Sequence, residues 1–327
     1  MNKINSIKNK IIGPIFSVIT PFKKDERIDY NSLNRYLKFL YNRGARVFYL
    51  MFYNSRFGLL SNEEIMKLNI SAANYIKKNF KNTIVIGAEP YHCSTSASIS
   101  YAKIFKKNKI DVVSLIFGEK YYNDDQIIKH FSKISKSTNI GLLLHQQLLE
   151  NGISNTPPLL PYSINCLKKI SKMKNFIAMK EDAKIDVYTK KILINTKKNI
   201  NMITSGGGKE QWLKFARYGC QAWLSGISNL DPKIAIRFYQ YYKSNNLYQC
   251  KKIIKYLEKP FFEIKNKIGW HLTIKASLEQ LGLMKKYERM PMTSVKNNEM
   301  KKIKKMILKL KKNAKTHFKN EKFFNYN

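Results

Sequence analysis

Eight short apolar runs rich in β-branched residues recur along the chain, each followed by a longer stretch with helical spacing. This alternation restricts the fold more than any other feature. The runs occupy residues 14–19, 46–52, 83–88, 112–117, 141–145, 176–180, 201–204 and 221–225. Helical patterns follow at 30–42, 61–78, 96–107, 124–135, 162–172, 187–195, 209–218 and 232–242. Asp29, Ser61 with Glu64 three residues on, and Asp231 followed by Pro232 read as helix starts. The runs are continuously apolar, as parallel strands covered on both faces must be. Eight such units in about 240 residues predict an α/β fold, a (β/α)8 TIM barrel over residues 11–243. A doubly wound open sheet is the alternative, but no G-x-G-x-x-G follows the first run.

Beyond residue 243 the pattern is purely helical, which predicts a C-terminal helical extension over 244–312. Within it Met300, Ile303, Met306, Ile307 and Leu310 recur at helical spacing, the mark of a basic amphipathic helix that packs on the main body. Residues 313–327 read as a basic, mobile tail.

The formal net charge is +38, from 60 Lys and Arg against 22 Asp and Glu. Such an excess raises nucleic acid as a partner. The excess is nearly all lysine, spread along the whole chain, whereas arginine dominates base readout. The pattern is that of lysine filling solvent faces, and it argues against a nucleic-acid partner. No apolar run approaches the length of a spanning helix, so no membrane association is expected. The first residues carry no continuous apolar core of a secretory signal. Cys93, Cys166, Cys220 and Cys250 lie far apart and without C-x-x-C spacing, which fits a reducing, cytoplasmic setting and no metal.

In such a barrel the working side chains stand at the C-terminal ends of the strands. Lys180 closes the sixth run, where burial disfavours its ammonium and frees an amine able to attack a ketone. The competing reading is an ion pair with Glu181 or with another carboxylate across the barrel. His145 closes the fifth run, where it either moves protons near neutral pH or simply lines the barrel. After the second run, Tyr53, Asn54 and Ser55 form a turn that could hold a carboxylate. Gly206 and Gly207 follow the seventh and permit close backbone approach of a ligand. After the fourth, Tyr122 offers either a proton-relay hydroxyl or an interface contact.

These positions, in this order, resemble the dihydrodipicolinate synthase / N-acetylneuraminate lyase family from about residue 11 to about 295. The carriers are ITPFKKDERID at 19–29, RFGLLSNEE at 56–64, Tyr121-Tyr122-Asn123, AMKED at 178–182 and IKASLEQLGL at 274–283. The resemblance implies a class I aldolase-type lyase acting on a 2-keto acid such as pyruvate. Lys180 would form the imine, the turn after the second strand would bind the carboxylate, and Tyr122 would join a relay across a subunit interface. It further implies a homotetramer built as a dimer of dimers, with no cofactor.

The chain departs from that pattern at several points. The family's Gly-Thr-Thr-Gly-Glu loop is here Phe52-Tyr53-Asn54-Ser55-Arg56. Its tyrosine at the end of strand five is here His145, and Leu148, Leu149 and Glu150 stand where an Arg-Thr-Gly element is expected. The departures point away from true dihydrodipicolinate synthase activity and towards a divergent lyase in which His145 takes the tyrosine's proton role. An imidazole, with its pKa of about 6.5, is a competent base at neutral pH. The same departures keep open a non-catalytic relative that binds a keto acid in a regulatory or scaffolding role.

Overall fold

Strand follows strand around a closed ring in the computed structural model, which describes residues 3–91, 93–117, 123–147, 161–224 and 226–326. The strands are β1 (Gly13–Ser17), β2 (Val47–Tyr49), β3 (Ile84–Ala88), β4 (Val112–Leu115), β5 (Gly141–Gln146), β6 (Phe176–Glu181), β7 (Asn201–Thr204) and β8 (Ala222–Leu224). Each pairs in parallel with the next, and β8 returns to β1, so the sheet has no open edge. This is the TIM barrel that the alternation predicts.

Helix α1 (Lys3–Lys10) precedes the barrel, and its Ile4 and Ile7 are buried. The apolar pattern did not mark it, because two isoleucines among lysines and asparagines carry too little periodicity. The outer layer is α2 (Tyr30–Asn42), α3 (Asn62–Asn79), α4 (Thr95–Lys107), α5 (Asp124–Ser137), α6 (Ile164–Ser171), α7 (Asp186–Thr196), α8 (Gly208–Ala216) and α9 (Pro232–Lys243). Their starts follow the caps in the sequence. Asp29 accepts from the Ser32 amide, and Ser61 and Glu64 form a reciprocal box. The helix layer seals the sheet with large side chains. Trp212 of α8 and Trp223 of β8 lie 4.4 Å apart between ring centroids, and Phe238 of α9 packs edge-on to both.

The helical extension comprises α10 (Leu247–Ile253), α11 (Lys259–Ile268), α12 (Trp270–Gln280) and α13 (Asn297–His317). A π-type turn over Ile254–Glu258 joins α10 to α11 and turns Glu258 inward. In α13 the five residues at helical spacing are all buried. The end of the chain differs from the sequence reading. Phe318, Phe323 and Phe324 are buried, and the Phe324 amide donates to Asp231 Oδ2 at 2.7 Å. Three aromatics within seven residues give the segment enough apolar surface to dock, which its lysines masked. Among the described residues no helix is long and apolar enough to cross a membrane.

Candidate active site

Strand β6 sets the site through its period of two. Lys180 and Asp182 project to one side and Glu181 to the other, where its Oε1 accepts from the Ala183 amide at 2.8 Å. Strand β5 supplies His145, because the β5–β6 register pairs His145 with Lys180. The Lys180 Nζ, wholly buried, lies 2.8 Å from His145 Nε2 and 2.7 Å from Asp182 Oδ2. Of the two readings left open for the lysine, an ion pair is therefore present, and its partner is Asp182 rather than Glu181.

The electrostatics of the three groups are coupled. Burial pulls the Lys180 ammonium below its ordinary value, with the Asp182 carboxylate opposing the shift. For Asp182, burial favours the neutral acid, but the Lys180 charge and its hydrogen bond outweigh it and hold the carboxyl far below the usual range. Burial, aided by the Lys180 charge, pushes His145 down to about 4. The imidazole is thus neutral at pH 7, and its Nε2 accepts from the lysine.

Asp182, but not Lys180, lines a cavity of about 430 Å³ at the C-terminal mouth of the barrel. Tyr53 and Asn54, after β2, form part of its wall, as does Gly206 after β7. The Tyr53 hydroxyl donates to Gln147 Oε1 at 2.5 Å, and the Gln147 amide nitrogen donates to the Tyr91 hydroxyl. The Tyr53 ring stands nearly perpendicular to that of His145, 5.9 Å away. Asn54 Oδ1 accepts from Trp270 Nε1 at 3.2 Å, which ties the β2 turn to α12.

Two candidate residues face elsewhere. Ser55 is fully buried, and its hydroxyl donates to the Val18 carbonyl at 2.8 Å, satisfying the end of β1 rather than the cavity. Gly207 is not part of the cavity wall; its amide donates to Gln211 Oε1 at the start of α8. Tyr122 lies outside the described residues, as do Leu148, Leu149 and Glu150.

The sequence reading missed Asp182, although strand alternation puts it on the lysine's side. It also missed Lys184, Lys265, Trp270 and His271 in the cavity wall. The last three come from the helical extension, and no local pattern says that those helices lie over the barrel mouth. His271 is held neutral, its pKa pushed down to about 3 by burial and by the Arg56 charge. Among the described residues no three His, Cys, Asp or Glu side chains converge as a metal site.

Comparison with known proteins follows the same outline. The model of the dihydrodipicolinate synthetase family matches residues 10–310. The chain is 24% identical over 303 residues to a 4-hydroxy-tetrahydrodipicolinate synthase of Hydrogenobaculum sp. (strain Y04AAS1), covering 91% of this chain and 98% of that protein. It is 25% identical over 318 residues to the protein of the same name from Wigglesworthia glossinidia brevipalpis, covering 93% and 98%. Among solved structures, dihydrodipicolinate synthase from Oceanobacillus iheyensis superposes with a TM-score of 0.79 at 17% identity, covering 95% of this chain and 99% of that one.

Proposed function

Because the chain belongs to the dihydrodipicolinate synthetase family, we propose that it is a Schiff-base-forming lyase or aldolase acting on a pyruvate-like 2-keto acid. One observation carries the reading: a wholly buried amine at the end of β6, 2.8 Å from a neutral imidazole, behind a cavity of about 430 Å³.

The chemistry starts with the ammonium proton of Lys180 passing to His145 Nε2. The neutral amine attacks the C2 carbonyl, and the imidazolium protonates the resulting oxyanion. A second proton leaves the nitrogen for the imidazole and is handed to the carbinolamine hydroxyl, which departs as water. The iminium that remains keeps the positive charge of the original ammonium, so Asp182 has its counter-ion at this stage. His145 then takes the proton of the C4 hydroxyl, C4 departs as an aldehyde, and the electron pair of the C3–C4 bond flows into the iminium and leaves a neutral enamine. Protonation at C3 and hydrolysis release the product and free Lys180. Tyr53 and Tyr122 supply further hydroxyls for these transfers. Asn54 and the backbone at Gly206 hold the substrate carboxylate. Loss of the family's two loop threonines and of its arginine after strand five makes the synthase reaction itself a poor fit.

A second reading has its own support. Asp182, which lines the cavity, pairs with the Lys180 ammonium at 2.7 Å, as it would in a relative that binds a keto acid without turning it over. Reduction with borohydride in the presence of pyruvate, followed by peptide mass mapping, tests the first reading. The expected result is a pyruvate-derived adduct on Lys180 that Lys180→Met lacks. No adduct with pyruvate or any small 2-keto acid rejects imine chemistry. An adduct with no turnover of any hydroxy-keto acid favours the binding role.

A further inference from the structure

The wall of the cavity carries an excess of positive charge that a pyruvate-sized monoanion does not satisfy. Asp182 is the one carboxylate among its described residues, and its Oδ2 is already bound by Lys180. Opposing it are the ammonium groups of Lys184 and Lys265, from the segment after β6 and from α11. Lys184 Nζ reaches the free Asp182 Oδ1 only at 3.7 Å. Lys265 has no carboxylate partner among the described residues; its stem lies along aromatic rings, with Nζ 4.3 Å from the centroid of Phe262 and 5.1 Å from that of Trp270. Behind His271, Arg56 and Lys275 share the single carboxylate of Glu288. Asp182 is the one offset in the wall, so a positive excess remains.

The two rim lysines are also placed rather than merely present. Lys184, in the cavity wall, adopts a left-handed backbone at φ 60°, a conformation that costs a side-chain-bearing residue energy. Gly206 leaves the room it needs: a Cβ there would stand 2.8 Å from Lys184 Cε, and the φ of +90° excludes most other residues. Lys265 is shifted down by burial and, second to it, by the charge of Lys184. Two like charges held near one opening create a local demand for an anion.

We infer that Lys184 and Lys265 form a distal anion subsite, and that the substrate is a 2-keto acid carrying a second carboxylate at the end remote from its ketone. The inference rests on the lyase reading for the ketone and on the cavity itself for the second charge. A dicarboxylate would place its ketone at Lys180 and its far carboxylate between the two lysines. The cavity volume, within the range of pockets that hold molecules larger than pyruvate, accommodates such a chain.

Matched ligands separate the charge from the chain length. The pair 2-oxoglutarate and 2-oxopentanoate share a five-carbon chain, and differ in a terminal carboxylate against a terminal methyl. Titration calorimetry at low ionic strength should show 2-oxoglutarate binding about tenfold more tightly to the intact protein, a preference that shrinks as salt is added. In the double variant Lys184→Gln/Lys265→Gln the ratio should fall to about one while 2-oxopentanoate binds as before. Equal binding of the two ligands to the intact protein, or a preference that survives in the double variant, overturns the subsite. Parallel borohydride trapping keeps the premise separate. A dicarboxylate preference without any Lys180 adduct would leave the subsite standing and remove the imine.

Discussion

A single carboxylate decides the resting state of the amine. Asp182 raises the proton affinity of Lys180 against the effect of burial, so removing its charge while keeping its shape should let the amine titrate lower still. Asp182→Asn is therefore expected to move the midpoint of the pH profile for keto-acid trapping at Lys180 downwards by one unit or more. The sign follows from losing an interaction that favours the charged form. A profile that stays in place, or moves upwards, would show that Asp182 does not govern the amine. Lys180 and His145 were legible in the sequence because each closes an apolar strand, where a polar residue needs a reason. Asp182 was equally legible in principle, two residues on along an extended chain, but the neighbouring Glu181 drew attention as the nearer acid. The pairing of His145 with Lys180 was not legible, since strand register depends on contacts 35 residues apart.

At the scale of elements, the π-type turn before α11 and the start of α8 are held together by one buried pair. Lys209 Nζ lies 3.1 Å from Glu258 Oε1, and the Lys209 amide donates to Oε2 at 2.8 Å. Gly208, at φ +65°, lets the carboxylate come close: a Cβ there would sit 2.7 Å from it. Removing one partner strands a charge in the interior. Glu258→Ala is expected to cost about 3–5 kcal/mol in urea unfolding. Replacing both partners at once, Lys209→Met with Glu258→Leu, should recover most of that loss; if the double variant is no better than the single one, the pair is not the main tie between these elements. The strands and barrel helices fell within a few residues of their sequence positions, since burial on both sides of a parallel sheet writes a strong apolar signal. The turn at Ile254–Glu258 left no such mark, because a widened helix uses the same residues as a regular one.

Across the whole molecule, the segment after α13 is tied onto the barrel rather than trailing from it. The Arg43 guanidinium pairs with Asp231 at 2.7 Å, and the segment after α13 caps that pair with buried phenylalanines. Ending the chain after residue 317 should expose this surface and lower stability by about 3 kcal/mol or more, read as a shift of the urea midpoint. An unchanged midpoint would restore the mobile tail that the lysine-rich composition predicted. The fold class was legible because eight repeats of one pattern leave few alternatives, whereas the roof over the barrel mouth was not, since packing between distant helices has no local signature. That roof has a consequence for the newborn chain. Lys180 leaves the ribosome about ninety residues ahead of Lys265, Trp270 and His271, an interval of roughly 5–20 seconds at ordinary elongation rates. Until synthesis reaches those helices, Lys180 has no finished chamber in front of it, and the cavity wall closes only once they have been made.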